Sequence, residues 1–247
     1  MSFQSCIGQT EQDTSKSEPD YGAILEEMVG YKTYFGLEEA LNEPEKVRWI
    51  SFLQKDLDSV PEELKLFPNL EVLDLGYNNL KTLPSWIGEL NTLKEIELRR
   101  NQISELPKEL FHLTNLEKID MWGNELTIIP PQINQLKKLK ELNISANNLS
   151  GLPKDIGELN SLTFLMIEHN NFEIIPQEIC DIQSLERLHL YKNKISGFSD
   201  KIAELINLRE LSFDDNRLSD KQIEELRRLL PNCKIYPGTQ NQPWNRN

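Results

Sequence analysis

Two histidines twenty residues apart, His169 and His189, with Glu168 beside the first, are the side chains best suited to hold a divalent cation. Imidazole nitrogens and a carboxylate could bind zinc and activate a water, which would make the chain a metal-dependent hydrolase. A zinc site needs three or four convergent ligands, however, and no CxxC or HExxH spacing supplies the rest. The sequence has no nucleophile elbow, no glycine loop for phosphate and no dinucleotide fingerprint. Its three cysteines, Cys6, Cys180 and Cys233, suggest no disulfide framework. The chain is therefore expected to be non-catalytic, with neither cofactor nor metal, and its function to lie in binding.

A rhythm of leucines positions these side chains. Residues 70–84 read LEVLDLGYNNLKTLP. Leu73 and Leu75 alternate across Asp74, as in a strand with one buried face. Leu80 and Leu83 follow at a wider interval, Pro84 suits a loop or a first helical residue, and Ile87 and Leu90 fit one helical turn. The pattern returns from Leu93, Leu116, Leu139, Leu162, Leu185 and Leu208, always 23 residues on, and a looser copy starts at Val47. Eight repeats thus run over 47–218. One such unit cannot bury its own leucines, whereas a stack of them can.

These repeats carry the pattern LxxLxLxxNxLxxLPxxIxxLxx over about 70% of the chain, and the chain resembles a leucine-rich repeat protein of the 23-residue kind. The stretch LEEALNEPEKVRWISF (38–52) is similar to the lead-in to the first repeat of bacterial members. The resemblance implies an α/β, right-handed solenoid, a horseshoe with a concave parallel β-sheet, that binds a protein partner. Eight strands at ~4.8 Å make that sheet roughly 35 Å long, enough for a protein-sized partner.

Asn78, Asn101, Asn124, Asn147, Asn170, Asn193 and Asn216 recur three positions after the second strand leucine. An amide has two donors and an acceptor oxygen, so these seven are expected to form a ladder that satisfies backbone groups where the chain turns inside the stack. The residues between the strand leucines should face out. Among them, Tyr77, Arg99, Arg100, Trp122, Phe164, Met166, His169, His189 and Tyr191 are the expected partner-binding residues. Trp122, Phe164, Met166 and Tyr191 read as an apolar band, of the kind that marks interaction sites. Asp74, Glu97 and Asp120 read as a column paired with Arg99 and Arg100.

The flanks read as caps: two short helices within 21–46, and a helix from Ser219 followed by a possible edge strand, CKIY, within 219–236. Residues 1–20 and 237–247 read as polar tails. The net charge of −13 argues against nucleic acid as a partner. Apolar runs are too short to span a membrane, and a monomer is expected. Only five residues precede Cys6, too few for a signal peptide, so the sequence as written reads as cytoplasmic. Yet a small residue before Cys6 and a polar tether after it resemble the processing site of a bacterial lipoprotein. With a start further upstream, Cys6 would be lipidated and the chain would become a membrane-anchored surface protein of adhesive or structural role.

Overall fold

A computed structural model describes residues 31–236 of the chain. Each strand is three residues long because only that stretch of each repeat alternates: β2 (Trp49–Ser51), β3 (Val72–Asp74), β4 (Glu95–Glu97), β5 (Lys118–Asp120), β6 (Glu141–Asn143), β7 (Phe164–Met166), β8 (Arg187–His189) and β9 (Glu210–Ser212). With β1 (Thr33–Tyr34) ahead and β10 (Lys234–Tyr236) behind, they form one open, curved, ten-stranded parallel sheet whose spatial order is the chain order. From β2 to β9 each strand pairs with the next at the position 23 residues on, as Leu73 does with Ile96 and Ile96 with Ile119. The leucines that alternate with the outward residues are buried to the last few per cent and join one continuous core along the stack.

Two local devices turn the chain out of each strand. The residue before each ladder asparagine, and Gln54 at the same place in the first repeat, has positive φ: Gln54, Tyr77, Arg100, Gly123, Ala146, His169, Lys192 and Asp215. Side chains there cost about 1–2 kcal/mol each, which the packed stack must outweigh. Next, a proline in extended conformation opens a short 3₁₀ turn, as Pro84 does for Ser85–Glu89 and Pro107 for Lys108–His112. In the repeat from Leu185, Ser199 stands where the six before it have proline, and its hydroxyl accepts the Lys201 N–H. Gly88 permits close packing of these outer turns, since a Cβ there would lie 2.4 Å from the carbonyl oxygen of Glu109.

The seven asparagines lie under the turns. Asn147 Nδ2 donates to the carbonyls of Met121 (3.0 Å) and Ile144 (3.1 Å), and its Oδ1 accepts the Leu126 N–H at 2.9 Å. The same three bonds recur at every step from Asn101 to Asn216. Asn78 makes them too, with Lys55 N–H as an additional donor to its oxygen. Each amide thus ties its own turn to the preceding repeat.

Helix α2 (Asp220–Leu229) closes the C-terminal end. It starts at a capping box between Ser219 and Gln222 and buries Ile223 and Leu226 in the core. The described part of the N-terminal cap is less helical than the sequence predicts. Thr33–Tyr34 add a strand beside Trp49–Ile50, and only α1 (Leu37–Ala40) is an α-helical turn. An unpaired sheet edge offers β-prone residues a hydrogen-bonding partner that local helix preference cannot match. Tyr34 is buried there, and its hydroxyl donates to Glu43 at 2.8 Å. Residues 21–30, both predicted tails and Cys6 lie outside the described residues. Among the described residues no helix is long and apolar enough to cross a membrane.

Candidate protein-binding face

The in-register pairing sorts the outward residues into columns across the sheet. One runs Ser51, Asp74, Glu97, Asp120, Asn143, Met166, His189 and Ser212. Beside it runs Trp49, Val72, Glu95, Lys118, Glu141, Phe164, Arg187 and Glu210. Arg99, Trp122, Ser145, Glu168 and Tyr191 follow two positions after the strand acids and their equivalents, and Tyr77, Arg100 and His169 occupy the positive-φ rim.

Much of the acidic column serves the backbone. Asp74 Oδ1 accepts the Gly76 N–H at 2.9 Å and Asp120 Oδ1 the Trp122 N–H at 2.9 Å, as Asn143 does for Ser145 at 3.1 Å. Ser51 also donates its hydroxyl to Asp74 at 3.0 Å. Burial raises the carboxyl pKa of Asp74 and Asp120 despite these bonds. Met166 has no acceptor, and the Glu168 N–H turns instead to Ser145 Oγ at 3.1 Å. Ion pairing is centred on Glu97, which holds Arg99 at 2.7 Å and Lys118 at 2.6 Å. Arg100 departs from the predicted column of ion pairs: its guanidinium lies 4.1 Å from the Trp122 ring centroid.

The predicted apolar residues form two cation-covered groups rather than one strip. In the first, Arg100 covers Trp122, and Arg99 lies 5.9 Å from the exposed Tyr77 ring. In the second, Arg187 lies 3.8 Å from the Phe164 ring, which meets His189 edge-on at 4.9 Å. There too, Tyr191 meets His169 edge-on at 5.2 Å and Lys192 at 5.2 Å, while Met166 pairs in register with His189. Between the groups β6 and its turn present the smaller Asn143, Ser145 and Ala146.

The two histidines do not converge on a common point. His189 faces Glu168 with Nδ1 (3.4 Å) and Glu210 with Nε2 (3.2 Å), whereas His169 lies against Tyr191. No three His, Cys, Asp or Glu side chains among the described residues are grouped to hold a metal ion. Burial raises both the Cys180 and Cys233 thiols to about 11, which disfavours the nucleophilic thiolate. Glu210 was not among the residues singled out from the sequence. It stands 23 positions after Arg187, so the repeat step was the signal that locates it.

Comparison with known proteins adds the family. The profile of the leucine-rich repeat region matches residues 46–149 and 139–231. No match is found among curated proteins. Among solved structures, internalin C2 of Listeria monocytogenes is similar at 23% identity and a TM-score of 0.66, over 76% of this chain and 79% of that one. The ectodomain of the Arabidopsis thaliana receptor kinase GASSHO1/SCHENGEN3, in complex with CASPARIAN STRIP INTEGRITY FACTOR 2, is 33% identical with a TM-score of 0.64, over 76% of this chain but 23% of that one. PEPR1 in its structure with AtPEP1 is 28% identical with a TM-score of 0.63, over 78% of this chain and 29% of that one. The chain therefore spans under a third of either of those two chains. On the profile match and the repeat geometry together, the chain belongs to the leucine-rich repeat family.

Proposed function

We propose that this chain is a rigid, non-catalytic module that takes a protein partner on the concave face of its sheet. The arrangement that supports this most is the set of half-buried rings on that face, each covered by a cation: Trp122 by Arg100, Phe164 by Arg187 and Tyr191 by Lys192. A sheet face that meets only water needs no such cluster, and Trp, Tyr and Arg are the residues enriched where binding energy concentrates. Cations held on rings keep N–H edges for a partner while the ring supplies apolar area at little entropy cost. The similar receptor structure with CASPARIAN STRIP INTEGRITY FACTOR 2 lends the reading support by analogy of fold. The net charge of −13 favours a protein over a nucleic acid partner.

Affinity capture with mass spectrometry supplies the partner, and calorimetry then tests the face. Trp122→Ala and Phe164→Ala are expected to weaken binding about tenfold or more. Ile206→Ala, at a side chain 75% exposed and outside the strands, should leave it unchanged. Trp86 is a poorer control because it packs against the core. Equal loss from Ile206→Ala, or none from the two sheet-face variants, contradicts the proposal.

A further inference from the structure

We infer that His189 is a proton-controlled clasp on the concave face, tying the β7 and β9 repeats together when charged and freeing a carboxylate when neutral. Its imidazole lies between the two neighbouring repeats. Nδ1 is 3.4 Å from Oε1 of Glu168, two residues past β7, and Nε2 is 3.2 Å from Oε1 of Glu210 on β9. Phe164 meets the ring edge-on at 4.9 Å, and the side chain is only 23% exposed. The other charged groups around it are Arg187 on its own strand, which reaches towards Glu141 on β6 at 3.8 Å, and Lys234, which pairs in register with Glu210 from β10. Asp214, past β9, is close enough to Glu168 to feel its charge.

Imidazolium carries two N–H donors, whereas neutral imidazole carries one. Both carboxylates are therefore bridged only by the charged ring, and loss of the proton leaves two acids competing for one N–H. Burial works against the charge, but the bonds and charges of Glu168 and Glu210 outweigh it and raise the pKa above the ordinary imidazole value. The clasp thus opens as pH rises beyond that value, in the range where histidine acts as a switch. The consequence for binding rests on the concave-face reading above. When the clasp opens, the face gains one negative charge beside Phe164 and Met166, so a partner's lysine or arginine is held better at the higher pH.

Nuclear magnetic resonance of the full chain tests the clasp with no partner present. The His189 imidazole resonance, identified by its loss in His189→Gln, is followed against pH in the parent, Glu168→Gln and Glu210→Gln. The expected midpoint in the parent lies above the ordinary value of about 6.5 and falls by on the order of one pH unit in each variant. A midpoint at or below the ordinary value, unmoved by either substitution, overturns the inference. Circular dichroism checks that both variants are folded. Failure of the concave-face reading would appear in the Trp122→Ala calorimetry and would leave this titration as it is.

Discussion

Arg100 covers Trp122 with its side chain lying close over Gly123. The guanidinium lies 4.1 Å from the indole centroid, and a Cβ on Gly123 would come within 3.2 Å of Arg100 Cδ. Gly123 has φ 72, yet Ala146 takes φ 52 at the same place one repeat later, so the backbone tolerates alanine there. Gly123→Ala should therefore act mainly by displacing Arg100. The expected loss of stability is about 1 kcal/mol, from backbone conformation and a weakened cation–π contact. Thermal unfolding measures that loss, and a shift in Trp122 fluorescence reports the displacement. An unchanged spectrum would show that Arg100 does not depend on the glycine.

The asparagine ladder predicts a gradient along the stack. Asn147→Ala leaves the Leu126 N–H and the carbonyls of Met121 and Ile144 without their amide partner in the interior. A cost of about 1–3 kcal/mol is expected. Asn216 makes equivalent bonds but is only partly buried, so water can replace its amide and Asn216→Ala should cost less. Denaturant midpoints compare the two. Equal costs would mean that burial does not set the ladder's contribution.

The repeat and the register were legible in the sequence because a 23-residue period fixes which residue of every strand faces outward. That period places Trp122, Phe164 and His189 on one face before any coordinates are known. What each outward residue touches is not periodic and was not legible. That Arg100 lies over the Trp122 ring rather than pairing with an acid is not set by the repeat period. Whether Asp74 and Asp120 meet arginine or a backbone N–H depends on a turn two residues long. The first cap misled for a different reason. Local helix preference in residues 21–44 says nothing of the sheet edge that pairs with Thr33 and Tyr34.

Met166 and Ser145 form a compensated pair. Met166 stands where Asp120 and Asn143 accept an N–H two residues on, and Ser145 Oγ accepts the Glu168 N–H in its place. Ser145→Ala should strand that partly buried donor and cost about 1–2 kcal/mol. Met166→Asn added to it restores an acceptor within the same strand and should recover much of the loss. A double-mutant cycle on denaturant midpoints measures the coupling. Additive effects would show that the two side chains do not share the donor.

The buried acids predict a pH dependence of known sign. Burial raises the Asp74 carboxyl pKa, and Glu97 beside it adds to the rise, despite the Gly76 and Ser51 bonds and the pull of Arg99. Asp120 is raised for the same two reasons. A carboxyl raised in the fold binds its proton more tightly there than in the unfolded chain. Its stabilising contribution is therefore present at low pH and is lost as pH rises through the folded value. At neutral pH the ionised forms oppose folding. Asparagine keeps the oxygen that accepts from Gly76 or Trp122 and removes the charge, and Asn143 already fills this place in β6. Asp74→Asn and Asp120→Asn should thus raise the melting temperature at pH 7, with the gain shrinking as pH falls below the carboxylate range. Thermal unfolding of both variants from pH 3 to pH 7 decides the matter. Destabilisation at pH 7 would mean that the negative charge itself, held by Arg99 and its neighbours, stabilises the sheet.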